Sequence, residues 1–143
     1  MLETEQDREN EERISARMAK FLNCEYRRMG SYFWFDVYFY RVPNLDFAGV
    51  AEVKCRRTKS FEAIPNVLID ADKYQNLYWN AMSLACPAYF VVEYKEGIIY
   101  ADIAKICGYL NKFEIKVIGR TDRGHPTDIR PAIMIPKVYF SII

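Results

Sequence analysis

The chain has 143 residues, 51% of them apolar and 27% charged, with 20 Lys plus Arg set against 19 Asp plus Glu. That length suggests one domain with enough apolar material for a core that needs no staples. The net charge of +1 excludes a polybasic binder working by bulk charge, though not an enzyme whose carboxylates and bases are segregated around one site. No apolar run approaches the roughly 18 residues needed to cross a bilayer, so no membrane partner is expected. The charged start from Met1 to Asn23 is neither a secretion signal nor an Arg-rich transit peptide. Cys24, Cys55, Cys86 and Cys107 form no C-x-x-C pair and His125 is the single histidine, so no zinc set is expected and the thiols read as free.

Residues 5–22 read as a helix, because Ile14, Met18, Phe21 and Leu22 form one stripe of a 3.6-residue period. Gly30 punctuates. Tyr32 to Arg41 is dense in aromatic and β-branched residues and predicts a strand. Val42 to Asp46 carries turn chemistry, and Phe47 to Arg56 reads as a second strand, giving a hairpin. Residues 57–69 are mixed, broken by Pro65 and Asn66. Asp70 is a plausible N-cap for a helix running to Ala85, which Pro87 ends. Ala88 to Tyr94 is an apolar run of strand length, expected to be a buried central strand. A turn at Lys95 to Gly97 leads into a strand from Ile98 to Ile103. Residues 113–118 and 132–141 read as a final strand pair around a polar loop from Gly119 to Arg130. The order of elements predicts a mixed α/β or α+β domain with a central sheet.

The segment that carries chemistry is Ala51-Glu52-Val53-Lys54-Cys55-Arg56. On a strand, Glu52 and Lys54 share a face and Val53 points the other way. A carboxylate and an ammonium among small apolar residues need each other or a ligand if they are buried. Sixteen positions upstream, Asp36 interrupts the aromatic strand, where a lone Asp is disfavoured. Pairing of the two strands through the turn brings Asp36 toward Glu52. Two carboxylates suit a hard divalent cation, Mg²⁺ or Mn²⁺, and a lysine beside them can orient water or neutralise charge on a phosphate. The bland alternative is an exposed Glu52–Lys54 ion pair with Asp36 solvated.

An Asp followed, after a hairpin, by Glu-x-Lys on the next strand behind an amphipathic helix resembles the PD-(D/E)xK nuclease superfamily, with its restriction-endonuclease-like fold. Asp36, Glu52 and Lys54 match the motif over roughly residues 7–105. Phe35 stands where many members have Pro. Asp46 is a rival for the Asp role, but it lies too close to Glu52 for a strand and turn between them. The resemblance implies a central mixed β-sheet flanked by helices in a single domain over 1–143. It implies a metal-dependent DNA nuclease guided by substrate structure, similar to small phage-encoded and Holliday-junction-resolvase-like enzymes. Asp36, Glu52 and the Val53 backbone carbonyl would hold Mg²⁺ or Mn²⁺.

Members often add an acidic residue from the first helix. Here Glu11 and Glu12 are candidates, and helical phase favours Glu11, with Asp7 on the same stripe. Lys73 and Gln75 on the second helix become phosphate- or water-contact candidates, and Arg56, Arg57 and Lys59 a basic rim. His125 reads as an exposed loop residue. Arg120, Arg123 and Arg130 form a second basic edge diluted by Asp122 and Asp128. Homodimerisation would let two sites cut two strands. A cytoplasmic location is expected, in the host cytoplasm for a viral chain. The alternative from another class is the same fold as a catalytically inactive module that binds nucleic acid or protein; a third is an unrelated α+β domain.

Overall fold

The computed structural model describes residues 3–30, 33–119 and 129–143. Helix α1 (Glu5–Leu22) starts at Thr4, whose hydroxyl accepts the Asp7 N–H at 3.1 Å while the Asp7 carboxylate accepts the Thr4 N–H at 3.0 Å. This reciprocal pair satisfies two of the helix's orphan donors. The buried face is Ile14, Ser15, Met18 and Ala19. Phe21, expected in the apolar stripe, is instead 49% exposed and rests against the Tyr100 ring. Small Ser15 and Ala19 let the helix approach the sheet on that side, which rotates Phe21 off the contact.

A left-handed residue, Asn23, turns the chain into strand β1 (Glu25–Arg28). β2 (Val37–Arg41) and β3 (Asp46–Cys55) form the expected hairpin. β2 is shorter than the strand predicted from Tyr32. Residues 33–36 bend rather than pair, and the Phe33 N–H bonds the Gly30 carbonyl at 3.0 Å. Asp36 is therefore not a mid-strand interruption. It is the residue before β2, already tied to the ladder by an N–H donated to the Ala51 carbonyl at 3.0 Å.

β4 (Asn66–Asp70) leads directly into α2 (Ala71–Leu84). Asp70 occupies the N-cap, but its side chain makes no capping bond and pairs with Arg130 at 3.0 Å. Ala85, in left-handed conformation, ends the helix before Pro87. β5 (Ala88–Tyr94) is buried along its whole length and turns into β6 (Gly97–Asp102) and the short α3 (Ile103–Ile106). β7 (Glu114–Ile118) and β8 (Arg130–Pro136) form a pair as predicted, but the strand expected to reach residue 141 ends at Pro136; a helical turn at Lys137–Tyr139 follows, and β9 (Ser141–Ile142) joins the other sheet.

The larger sheet has the order β1-β2-β3-β5-β6-β9; β3 and β5 run parallel, and the other neighbours are antiparallel. β4, unexpected from its Pro65-Asn66 start, joins β8 and β7 in a second sheet. α1 covers one face of the larger sheet over Val37, Phe39, Ala51, Val53 and Val91. α2 and the small sheet cover the other over Val50, Phe90 and Val92. The architecture is the mixed α+β one read from the order of elements. His125, Arg120, Arg123, Asp122 and Asp128 lie outside the described residues. All four cysteines are free thiols. Among the described residues no helix is long and apolar enough to cross a membrane.

The register between β2 and β3 slips at Phe39 and Tyr40: Phe39 faces Gly49, but Tyr40 faces Phe47, leaving Ala48 as the extra residue of a bulge. Gly49 sits there at φ +156°, and a Cβ added to it would meet the Tyr89 ring at 2.7 Å and the Pro87 carbonyl at 3.1 Å. Gly49→Ala should therefore destabilise the fold by about 1–3 kcal/mol. The measurement is the urea midpoint; an unchanged midpoint would mean that the bulge relaxes freely.

Candidate active site

The hairpin and β5 place the motif residues. Alternation along β3 puts Val50, Glu52 and Lys54 on the α2 face and Ala51, Val53 and Cys55 on the α1 face. Ala51 and Val53 direct their backbone groups toward β2, and β2 begins only at Val37. Just beyond its end, Asp36 Oδ2 accepts the Val53 N–H at 2.8 Å. The carboxylate thus substitutes for the missing strand partner, and the Val53 carbonyl points to the same edge as its N–H. Asp46 begins β3 opposite Arg41 at the far end of the hairpin.

Glu52 is 1% exposed, and neither of its carboxylate oxygens receives a hydrogen bond. The Lys54 ammonium stands 3.4 Å from Oε1, and the Lys73 ammonium, reaching over from α2, 3.6 Å from it. Burial, reinforced by the Asp36 charge, pushes the Glu52 carboxyl up to about 7 despite both lysines. Burial alone would pull Lys73 down, but Glu52 and Asp36 more than offset it and hold its pKa above the ordinary value. Lys73 is thus brought to the motif. Gln75, two residues on and facing solvent, is not.

Glu11 reaches Asp36 from the other face of the sheet. It is partly buried, and the Arg28 guanidinium on β1 binds its Oε2 at 2.5 Å. Burial and the Asp36 charge push Glu11 up to about 7, against the pull of Arg28. Glu12 turns outward to Tyr26 and is largely exposed. Arg28 also meets Glu3 at 3.1 Å. Two openings flank the motif. One of about 360 Å³ is lined by Glu3, Asp7, Glu11, Asp36, Val53 and Lys54. The other, about 240 Å³, is lined by Glu52, Lys54, Arg56, Lys73, Asp70 and Arg130. Lys54 belongs to both.

The basic rim is less free than its sequence suggests. Arg56 donates to the Leu68 carbonyl at 2.8 Å and to the Tyr94 hydroxyl at 3.1 Å. Arg57 donates to Asn10 at 3.2 Å and lies 3.4 Å from Glu93. Lys59 is exposed. Glu93, which sequence reasoning passed over, is clasped by Arg13 through contacts of 2.5 and 2.7 Å. These hydrogen bonds lower the Glu93 pKa. The signal was present: one charge in the apolar run Ala88 to Tyr94 demands a partner. Arg28 had no comparable signal, because its partners come from α1.

The donor set fits a hard cation in kind. Glu52 offers two buried oxygens without donors, and Asp36 and the Val53 carbonyl lie at the adjoining edge. Among the described residues no three acidic, Cys or His side chains converge tightly enough to enclose an ion by themselves. Any cation there would complete its shell with backbone oxygen and water.

A helix-flanked mixed sheet with an acidic hairpin end beside Glu-x-Lys is the architecture of the PD-(D/E)xK nucleases. The family model described as "Phage putative PDDEXK endonuclease" matches residues 1–143, and the chain belongs to that family. Among solved structures, the chain is similar in fold to Hjc, a Holliday junction resolvase from the archaeal hyperthermophile Archaeoglobus fulgidus. The TM-score is 0.55 and the identity 15%, over 90% of this chain and 83% of that one. No curated protein matches the chain.

The raised carboxyl of Glu52 has a signed consequence. Its folded pKa of about 7 exceeds the ordinary value of 4.5, so the folded state binds the extra proton between those values. The associated stability is intact below about pH 4.5 and is lost as pH rises through about 7. Glu52→Gln keeps the shape and removes the charge. In metal-free protein it should match wild type at pH 5 and exceed it by about 1–3 kcal/mol at pH 8. Urea unfolding at the two pH values checks this; equal differences at both would contradict it.

Proposed function

We propose that the chain is a divalent-metal-dependent endonuclease that hydrolyses DNA phosphodiester bonds, with Asp36, Glu52 and Lys54 as its working centre. The observation that carries this reading is the buried, donor-less Glu52 carboxylate between two lysines and beside Asp36. Family membership supports the nuclease class. An inactive binding module would have little reason to retain such a costly group, because a buried carboxylate without donors lowers stability unless something binds it.

In this reading Asp36, Glu52 and the Val53 carbonyl hold Mg²⁺ or Mn²⁺. The cation, when bound, supplies Lewis-acid activation of water and of the scissile phosphate. Lys54, at the divide between the two openings, holds the attacking water or takes its proton, and neutralises charge that grows on the phosphate. Lys73 balances Glu52 and meets a phosphate oxygen from the α2 side. Glu11 orients water from the α1 side, with Arg28 fixing its carboxylate. Arg57 and Lys59 meet the backbone at the rim, and Arg56 acts there by bracing the end of β3. Gln75 remains a candidate only for more distant backbone contact. Pairing of two such single-domain chains would serve cleavage of both strands, with structure rather than sequence guiding the cut.

The test is a panel of linear, nicked, single-stranded and four-way DNA with Mg²⁺ or Mn²⁺. Wild type should cleave only with metal. Asp36→Asn should lose cleavage by a factor of about 10² or more while keeping its fold, and Lys54→Ala should lose turnover on the same order with DNA binding nearly unchanged. Cleavage by Asp36→Asn at the wild-type rate would overturn the assignment.

A further inference from the structure

Three rings on β2 and β3 form a partly exposed row beside the candidate centre: Tyr38, whose inner side packs against the core, and Tyr40 and Phe47, which belong to neither core cluster. Tyr38 and Tyr40 alternate with the buried Val37 and Phe39, so they stand on the face away from α1. Tyr38 is opposite Val50, which places it on the face that carries Glu52 and Lys54. Phe47 would fall on the opposite face by simple alternation from Glu52. The bulge between it and Val50 reverses that parity and sets it directly across from Tyr40. The ring centroids of Tyr38 lie 5.6 Å from those of both Tyr40 and Phe47. Phe47 is 45% exposed, and both tyrosines are partly exposed.

The row starts next to the chemistry. Tyr38 is two residues beyond Asp36, or about 7 Å of strand, and Tyr40 about 7 Å further. The charges on this face suit a polyanion: Lys54 and Lys73 stand at the Glu52 end, and Arg27, exposed and directly opposite Tyr38, stands beside the rings. Glu25, opposite Tyr40, is the one acid in the row and marks its outer end. An apolar partner protein would not call for cations alongside the rings, whereas unpaired bases with their phosphates would.

We propose that Tyr38, Tyr40 and Phe47 form a stacking platform for unpaired bases of a nucleic-acid strand whose backbone runs past Arg27 to the Glu52 centre. The proposal rests on the nuclease reading and deepens it: the preferred substrate carries single-stranded nucleotides next to the scissile bond. A continuous duplex keeps its bases stacked on each other and gains nothing from the rings.

The test uses the full chain in EDTA, so that no cleavage intervenes. The probe is a single-stranded oligonucleotide carrying 2-aminopurine, with a blunt duplex of the same sequence as the control. Wild type should quench 2-aminopurine fluorescence on binding. The double variant Tyr40→Leu, Phe47→Leu keeps apolar bulk but loses two ring faces. It should bind the single strand about 10- to 100-fold more weakly, lose the quench and bind the duplex as wild type does. Tyr40→Phe should retain both quench and affinity. Equal weakening toward both DNAs, or an unchanged quench in a folded double variant, would overturn the platform. So would sedimentation showing that the double variant turns a wild-type dimer into a monomer, because the rings would then be covered by a second copy. Metal-dependent cleavage by wild type of any DNA in the panel of linear, nicked, single-stranded and four-way substrates separates the two readings: if cleavage is present and the double variant keeps the quench, only the platform fails, and if no DNA in the panel is cut, the nuclease reading itself fails.

Discussion

Glu52 is a carboxylate held where a hydrocarbon would be more comfortable. The parallel pairing of β3 with β5 puts it at the centre of the larger sheet, roofed by α2. The position removes nearly all water from it, and no hydrogen bond reaches its oxygens in return. Two ammonium groups at 3.4 and 3.6 Å moderate the cost without cancelling it, since the carboxyl still sits near 7. The neighbouring features follow from this constraint. Asp36 is fixed beside it by the Val53 N–H, and Lys73 is drawn in from the helix above.

Asp36 also links the two faces of the sheet electrostatically. It raises both Glu52 on the α2 side and Glu11 on the α1 side. Its position depends on where β2 begins, because two more residues of regular pairing, Asp36 and Phe35, would give the Val53 N–H a backbone partner and leave the Asp36 side chain without that anchor. Residues 33–36 bend rather than pair, so β2 begins only at Val37. A local backbone event in an aromatic stretch thus sets the geometry of the acidic pair.

Much of this was readable from residue order. The stripe in α1, the hairpin, α2 and the apolar run of β5 have strong local signatures, and the spacing from Asp36 to Glu52 matched a hairpin. What could not be read depends on partners distant in sequence. β4 has five residues behind Pro65, and it is a strand because β8 lies beside it. β1 ends in Arg27 and Arg28, whose charges disguise an edge strand that meets Glu3 and Glu11. Phe47 lies on its face only because of the bulge, and a bulge is a property of two strands in register. The burial of Glu52 follows from α2 packing over β3, which no feature of Ala51 to Arg56 encodes.

If the buried carboxyl awaits a cation, metal and proton should compete for it. The most direct measurement is calorimetric titration of Mn²⁺ into the protein in two buffers of different ionisation enthalpy, at pH 6 and at pH 8.5. At pH 6, below the Glu52 value of about 7, binding should release on the order of one proton per cation, falling toward none at pH 8.5. Cation binding without proton release at pH 6, or no cation binding at either pH, would contradict the account.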